Sequence, residues 1–272
     1  MTTPSEPHPN DTGAWAGRSL GEREVGWDER DAIVFALAVG ARPDRLDLVF
    51  ERDLRVLPTF ALTLAQWAPD VLGAAGAFDV TTALHGSQRL DVLAPLPRRG
   101  STLMAARVGD VWDKGGAAVF EVVVECAYVR ATWSIFAPGR GGFGGERGPG
   151  RTAGPDGEPV ATLERPIAAN AAALYRLTGD RHHIHIDPAA AARIGQPRPI
   201  LHGLATLSVG MLAAAEAHGA SPADLRLLEG RFSSVVFPGE SVRVPVWADG
   251  SFRVDTERGT AIDGARALFA EP

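Results

Sequence analysis

The sequence is short of several things, and each shortage removes a class of protein. Its 272 residues include a single cysteine, Cys126, so no disulfide can close within the chain. Cys126 lies inside the apolar run Val119–Val129, where a small buried thiol in a strand and a reducing, cytoplasmic setting are expected. Nowhere do eighteen uncharged apolar residues follow one another, so no membrane-spanning helix is expected. The opening M-T-T-P-S-E-P-H-P-N-D-T-G has no basic start followed by an apolar core. It predicts no secretory leader, and residues 1–20 read as a flexible tail. Positive charge is also scarce: 27 Lys and Arg stand against 33 Asp and Glu, a net charge of −6, and the arginines are scattered among acids. That balance argues against nucleic acid and against an anionic membrane surface as partners. The H-E-x-x-H of zinc enzymes is missing as well, and G-x-S-x-G occurs only as Gly17–Gly21 near the polar start of the chain, with no strand-to-helix pattern around it to make the nucleophile elbow of serine hydrolases.

What is present suits a folded protein with a substantial core, at 45% hydrophobic and 22% charged residues. Asp28 followed by D-A-I-V-F-A-L-A-V-G-A predicts a helix over Asp28–Val39, capped by Asp28 and closed by Gly40. Leu57–Leu64 is a short apolar piece of helical character. From Phe78 the texture is that of strands, with Ser101–Trp112 alternating, Asp113–Gly116 a hairpin turn, Ala117–Val129 a central strand and Thr132–Phe136 continuing the sheet. Ala137–Glu158 is too rich in Gly and Pro for regular structure and reads as a crossing between two units, partly packed down at Phe143.

Beyond the crossing the pattern restarts. Asn170 opens a helix, and Tyr175-Arg176-Leu177 with Gly179 lines up with Phe35-Ala36-Leu37 and Gly40. A second helix is predicted from Pro199 through Ala215, L-E-G at Leu228–Gly230 echoes L-H-G at Leu84–Gly86, and Val242–Trp247 reads as a strand ending at the Asp249-Gly250 turn. Each half is thus helix followed by strands, which predicts an α+β fold made of two duplicated units. The expected boundaries are 21–136, a linker over 137–160, and 161–272.

Four of the seven histidines cluster in Tyr175–Leu204: His182, His183, His185 and His202, beside Asp180 and Asp187. Asp180 and His185, in a loop after a helix, can converge as an acid–base pair. The plainer alternative is that Asp180 caps the following turn and His185 is structural. The histidine spacing completes no metal shell, so no metal site is expected. Gly203, at the start of a helix, can offer its N–H to a developing oxyanion, or can simply permit close packing. Acid, base and oxyanion donor together suit proton transfer next to a thioester carbonyl.

The motif Y-R-L-T-G-D-R-H-H-I-H-I-D-P followed by P-I-L-H-G-L resembles the signature of MaoC-like, R-specific enoyl-CoA hydratases. The first half, with F-A-L-A-V-G-A, L-P-T-F, L-H-G-S-Q, P-L-P-R-R-G and D-V-W-D-K-G in order, is similar to the amino-terminal domain of peroxisomal multifunctional hydratases. The resemblance implies a tandem double hot-dog, each half a central helix wrapped by an antiparallel sheet. It implies reversible hydration of trans-2-enoyl-CoA to (3R)-3-hydroxyacyl-CoA, with coenzyme A as part of the substrate and no separate cofactor. Carried over by position, Asp180 and His185 handle the protons and Gly203 binds the thioester oxygen, with His182, Asp187 and Tyr175 in support. Arg147 is the candidate for a coenzyme A phosphate. Ala41 stands where Asp180 aligns, so the first half is expected to be catalytically empty and to shape the acyl pocket. His182 and His183 replace the usual Asn and Pro. A homodimer is expected, and an acyl-CoA-binding protein, an inactive subunit and a thioesterase are the alternative readings.

Overall fold

One arrangement of strand, helices and four further strands occurs twice in the computed structural model, which describes residues 11–150 and 154–270. The first copy contains β1 (Ser19–Trp27), α1 (Glu29–Ala38), α2 (Leu46–Val49), α3 (Phe60–Leu64), α4 (Trp67–Ala74), β2 (Leu84–Val92), β3 (Gly100–Asp113), β4 (Ala117–Glu125) and β5 (Val129–Pro138). The second contains β6 (Ala161–Pro166), α5 (Ala171–Tyr175), α6 (Pro188–Arg193), α7 (Gly203–Ala217), β7 (Leu225–Phe232), β8 (Ser241–Val246), β9 (Ser251–Thr256) and β10 (Gly259–Phe269). All strand pairs are antiparallel, in the order β1-β3-β4-β5-β2-β7-β10-β9-β8-β6. Read inward from either edge, the order is the same, so the halves are related by a pseudo-two-fold between β2 and β7. The duplicated α+β architecture expected from the sequence is therefore present.

Along that seam Arg89 of β2 faces Glu229 of β7, and their side chains pair at 2.8 Å. Beneath the strands of the second half runs α7, whose sequence G-L-A-T-L-S-V-G-M-L-A-A-A-E-A is apolar on nearly every side and is buried accordingly. The hydroxyls of Thr206 and Ser208 donate to carbonyls one turn back, so neither is left unpaired in that setting. Gly210 lets the sheet approach closely, since a Cβ there would stand 2.4 Å from the Phe252 ring. In the first half Asp28 caps α1 as expected, and a reciprocal bond completes a capping box: Asp28 accepts from the Asp31 N–H, and Asp31 accepts from the Asp28 N–H.

Several expectations need correction. Residues 11–20 are not a loose tail: Trp15 is buried and packs into the core, and Ser19 begins β1 opposite Arg107. The rest of the expected tail, residues 1–10, lies outside the described residues. The run Ala117–Val129 is not one strand, because β4 stops at Glu125 and the Cys126 N–H closes a turn on the Val129 carbonyl. Cys126 is therefore half-buried in a turn. The helix expected from Pro199 begins at Gly203. Ahead of it the Ile200 and Leu201 N–H groups are drawn out to the carbonyls of Ile184 and Val236, which holds the chain extended. Helix α4 and strand β6 were not anticipated.

The Gly-rich crossing is anchored at its start. The Asp113 carboxylate, at the end of β3, accepts the N–H groups of Gly115, Gly142 and Gly144 at 2.8–2.9 Å, and these bonds hold its pKa below the ordinary carboxylate value. The Asp113 N–H donates to the Glu146 carbonyl, closing the loop on itself. Residues 151–153 of the crossing lie outside the described residues.

Candidate active site

Helix α5 ends in a single 3-10 turn, Arg176–Thr178, and the chain then reverses at Gly179, whose φ of +154° favours glycine. A Cβ there would also sit 2.9 Å from the Thr63 carbonyl of α3, so the loop rests directly on the first half of the chain. Next comes half-buried Asp180, whose carboxylate accepts the His182 N–H at 3.0 Å. This bond fixes the carboxylate, while the cap of the following 3-10 turn is His182, whose Nδ1 accepts the Ile184 N–H.

A 3-10 turn, His183–His185, buries the His185 ring. Its Nδ1 lies 2.9 Å from the Ile200 carbonyl; a carbonyl only accepts, so Nδ1 carries the hydrogen and Nε2 presents a lone pair. Burial lowers the His185 pKa, against the opposing pull of Asp180, and keeps a free base available near neutrality. His202 is organised in the same way: its Nε2–H donates to the Asp180 backbone carbonyl at 3.2 Å, and its ring stacks on His185 with centroids 3.6 Å apart. Burial, then the neighbouring His185, bring the His202 pKa down to about 2, so this ring stays neutral. The sequence placed His202 in the cluster without a role. Its signal was the L-H-G triplet, but only the fold shows that the histidine clamps the loop carrying Asp180.

Side-chain ligand atoms of Asp180, His185 and His202 all lie within 4.8 Å of one another. A single water spans a gap of that size, which lets a carboxylate and an imidazole address the same molecule. The same atoms also form a candidate metal set, which the sequence spacing had not indicated. Yet the two rings are inclined by only 24°, so an ion in the plane of one lies well out of the plane of the other. The arrangement serves a water better than a cation.

Gly203 opens α7, whose first backbone bond runs from the Thr206 N–H to the His202 carbonyl. The N–H of Gly203 therefore precedes the helical ladder and points out of the helix end. The packing alternative also holds, because a Cβ at Gly203 would meet the Phe232 ring at 2.9 Å. Asp187 accepts the Ala189 N–H as N-cap of α6, which is a structural task. Tyr175 is fully buried under His202, its ring 4.5 Å away, and its hydroxyl has no hydrogen-bond partner. His182 is exposed, and its Nδ1 accepts the Ile184 N–H.

Beside these residues opens a cavity of about 780 Å³ walled by both halves. Phe78, Val80, Leu84 and Ile135 supply apolar surface from the first half, and Arg181, His182 and Arg193 line it from the second. Asp70 and His85 also line it, and neither was picked out from the sequence as a site residue. Partial burial and then the facing Asp180 raise the Asp70 pKa, while burial lowers that of His85 to about 4. The His85 ring packs 4.5 Å from Phe232, which in turn rests on Gly203. Arg147 does not line this cavity; its carbonyl is bonded to Lys114 at the β3–β4 hairpin. No helix among the described residues is long and apolar enough to cross a membrane.

Comparison with known proteins returns two family matches in tandem: an MFE-2 hydratase 2 N-terminal domain over residues 26–137 and a MaoC like domain over residues 151–266. The chain is 38% identical over 266 residues to the enoyl-CoA hydratase ChsH3 of Mycobacterium tuberculosis, covering 89% of this chain and 91% of that protein. It is 34% identical over 287 residues to 3-hydroxyacyl-thioester dehydratase Y of the same organism, covering 95% and 94%. Among solved structures, a MaoC-like dehydratase from Phytophthora capsici superposes with a TM-score of 0.85 at 24% identity, over 98% of this chain and all of that one.

Proposed function

The chain belongs to the MaoC-like enoyl-CoA hydratase family, with the tandem double hot-dog fold of that family, and from that premise we propose that Asp180 and His185 hydrate a trans-2-enoyl-CoA to the (3R)-3-hydroxyacyl-CoA, reversibly. The observation that carries the assignment of residues is that a carboxylate oxygen of Asp180 and a ring nitrogen of His185 lie within 4.8 Å of one another, a gap that one water can bridge.

On this reading Asp180 and His185 hold the water between them. His185 Nε2 takes a proton from the water as its oxygen bonds to the β carbon, and the electrons of the C=C bond move onto the thioester oxygen. The Gly203 N–H, at the positive end of α7, stabilises that oxyanion. The α carbon then receives that same proton from His185 on the same face, so water supplies both the hydroxyl and the hydrogen and the pair returns to its starting state. His202, locked neutral, adds no competing positive charge beside His185 as it charges.

The first half supplies no acid or base where Ala41 stands, and on this reading it serves the acyl chain through Phe78, Val80, Leu84 and Ile135. A cavity of about 780 Å³ suits a long or ring-bearing acyl group, as in fatty-acid or steroid side-chain breakdown. Arg181 and Arg193, which line it, are better placed than Arg147 for coenzyme A phosphates. The same reading takes the enzyme to be cytoplasmic and homodimeric, to be checked by cell fractionation and light scattering.

The test follows loss of enoyl-thioester absorbance with chiral analysis of the product. Asp180→Ala and His185→Ala should each lower the rate by at least about 10²-fold. Wild-type turnover in either variant overturns the assignment of residues, and release of free thiol in place of hydration identifies a thioesterase.

A further inference from the structure

His182 is exposed, replaces the usual asparagine, and has no part in the proton transfers proposed for Asp180 and His185. Its bonds nevertheless reach the base. The turn His183–His185 closes on its cap through the His185 N–H, which donates to the His182 carbonyl at 3.3 Å. The Ile184 N–H would otherwise be a free donor at the head of that turn. The Nδ1 lone pair of His182 accepts it at 3.4 Å. With His183 in place of the usual proline, no ring locks φ at the first position of the turn, so its shape depends on these bonds.

Ile184 carries the constraint onward. Its carbonyl accepts the Ile200 N–H at 3.2 Å, and the Ile200 carbonyl accepts the Nδ1–H of His185 at 2.9 Å. The His182 ring is thus three hydrogen bonds from the His185 ring, by a route through the backbone of two isoleucines. The two rings also stand nearly edge to face, inclined by 70° with centroids 6.3 Å apart, so the base has His202 stacked on it and His182 across it.

We propose that His182 is a positioning residue for the hydration: its Nδ1, acting through Ile184 and Ile200, fixes the tautomer of His185 and the direction in which the His185 Nε2 lone pair meets the water. The inference rests on the reading of His185 as the base. A base turned or displaced by a fraction of an ångström loses much of its effect, which is how a group outside the proton transfers can govern kcat. Asparagine supplies the same acceptor, because its Oδ1 lies as many bonds from Cα as the histidine Nδ1 does. Leucine has similar reach and no acceptor.

The test compares His182→Ala, His182→Leu, His182→Asn and His185→Ala in the full chain, by crotonyl-CoA hydration, melting temperature and NMR of the histidine ring nitrogens. His182→Ala and His182→Leu should lower kcat at least about tenfold with KM within about threefold and the melting temperature nearly unchanged, while His182→Asn keeps kcat within about threefold. The His185 ring should show the single Nδ1–H tautomer in the parent and in His182→Asn, and a mixture in His182→Leu, which a loss of bulk alone would not produce. Parental kcat in His182→Leu, a His182→Asn as slow as His182→Ala, or an unmixed tautomer in a slow His182→Leu would each overturn the proposal. His185→Ala separates that failure from failure of the base assignment. If it is inactive beside a fully active His182→Leu, the positioning role alone falls; if it is as active as the parent, the base falls and the positioning role with it.

Discussion

The rings of His185 and His202 lie face to face, 3.6 Å between centroids, and each gives its N–H to a backbone carbonyl, His185 to Ile200 and His202 to Asp180. The pair sits at one end of a series of ring contacts that passes through Tyr175 and Phe35 to Phe60, at 4.5, 5.8 and 5.5 Å in turn. Phe35 and Phe60 belong to the first half. The first half, which has Ala41 where the second has Asp180, thereby helps to hold His185, because ring-on-ring packing in a close-packed core leaves little room for the imidazole to turn.

His202→Phe tests this clamp. Phenylalanine keeps a ring in the stack but cannot donate to the Asp180 carbonyl, so the loop carrying the acid loosens. A fall in kcat of about tenfold is expected, with KM within about threefold and the melting temperature nearly unchanged. An unaltered kcat would mean that His202 only fills space.

Gly179→Ala should fail for two reasons that act together. Its φ of +154° disfavours a side chain, and the added Cβ would meet the Thr63 carbonyl at 2.9 Å. A loss of about 1–3 kcal/mol is expected in chemical denaturation, together with a drop in kcat as Asp180 shifts. Stability equal to the parent protein would show that the loop does not bear on α3.

Asp113→Ala removes the acceptor for three backbone N–H groups of the hairpin and the crossing. Limited trypsin digestion should cut several-fold faster after Arg140 and Arg147, while hydratase turnover changes little. Unchanged cleavage kinetics would count against this anchor.

Stability should fall as the medium is acidified below about pH 6.5. His85 and His202 are held neutral by burial, with pKa values lowered to about 4 and about 2. Between about pH 6.5 and 4 the unfolded chain binds protons at both positions and the folded chain does not. Each histidine therefore contributes a slope of about 1.4 kcal/mol per pH unit, with stability present above about pH 6.5 and lost on going down. Urea midpoints measured at intervals from pH 7.5 to 5 check this, and His202→Phe should flatten the dependence. A flat profile in the parent protein would rule the account out.

Much of the fold was legible because it depends on local chemistry. Asp28 and Gly40 bracket α1, the Asp113–Gly116 turn separates β3 from β4, and the restart of the pattern at Asn170 announces a duplicated α+β chain. What was misread depended on partners distant in sequence. Trp15 looks like part of a polar tail until its ring finds the core, and Pro199–His202 looks helical until its N–H groups are drawn to Ile184 and Val236.

The order of residues sets which groups are available: Asp180 and His185 five residues apart after a glycine turn, Gly203 at the head of an apolar helix, and Ala41 in the corresponding place of the first half. Tertiary structure decided what they can do. Only packing puts His202 beneath His185 and bonds it to the Asp180 carbonyl, and brings Asp70 and His85 from the first half to the same cavity. The reason is physical: a residue's type is local, whereas desolvation, ring stacking and the direction of a lone pair are set by neighbours that the order of the chain does not name.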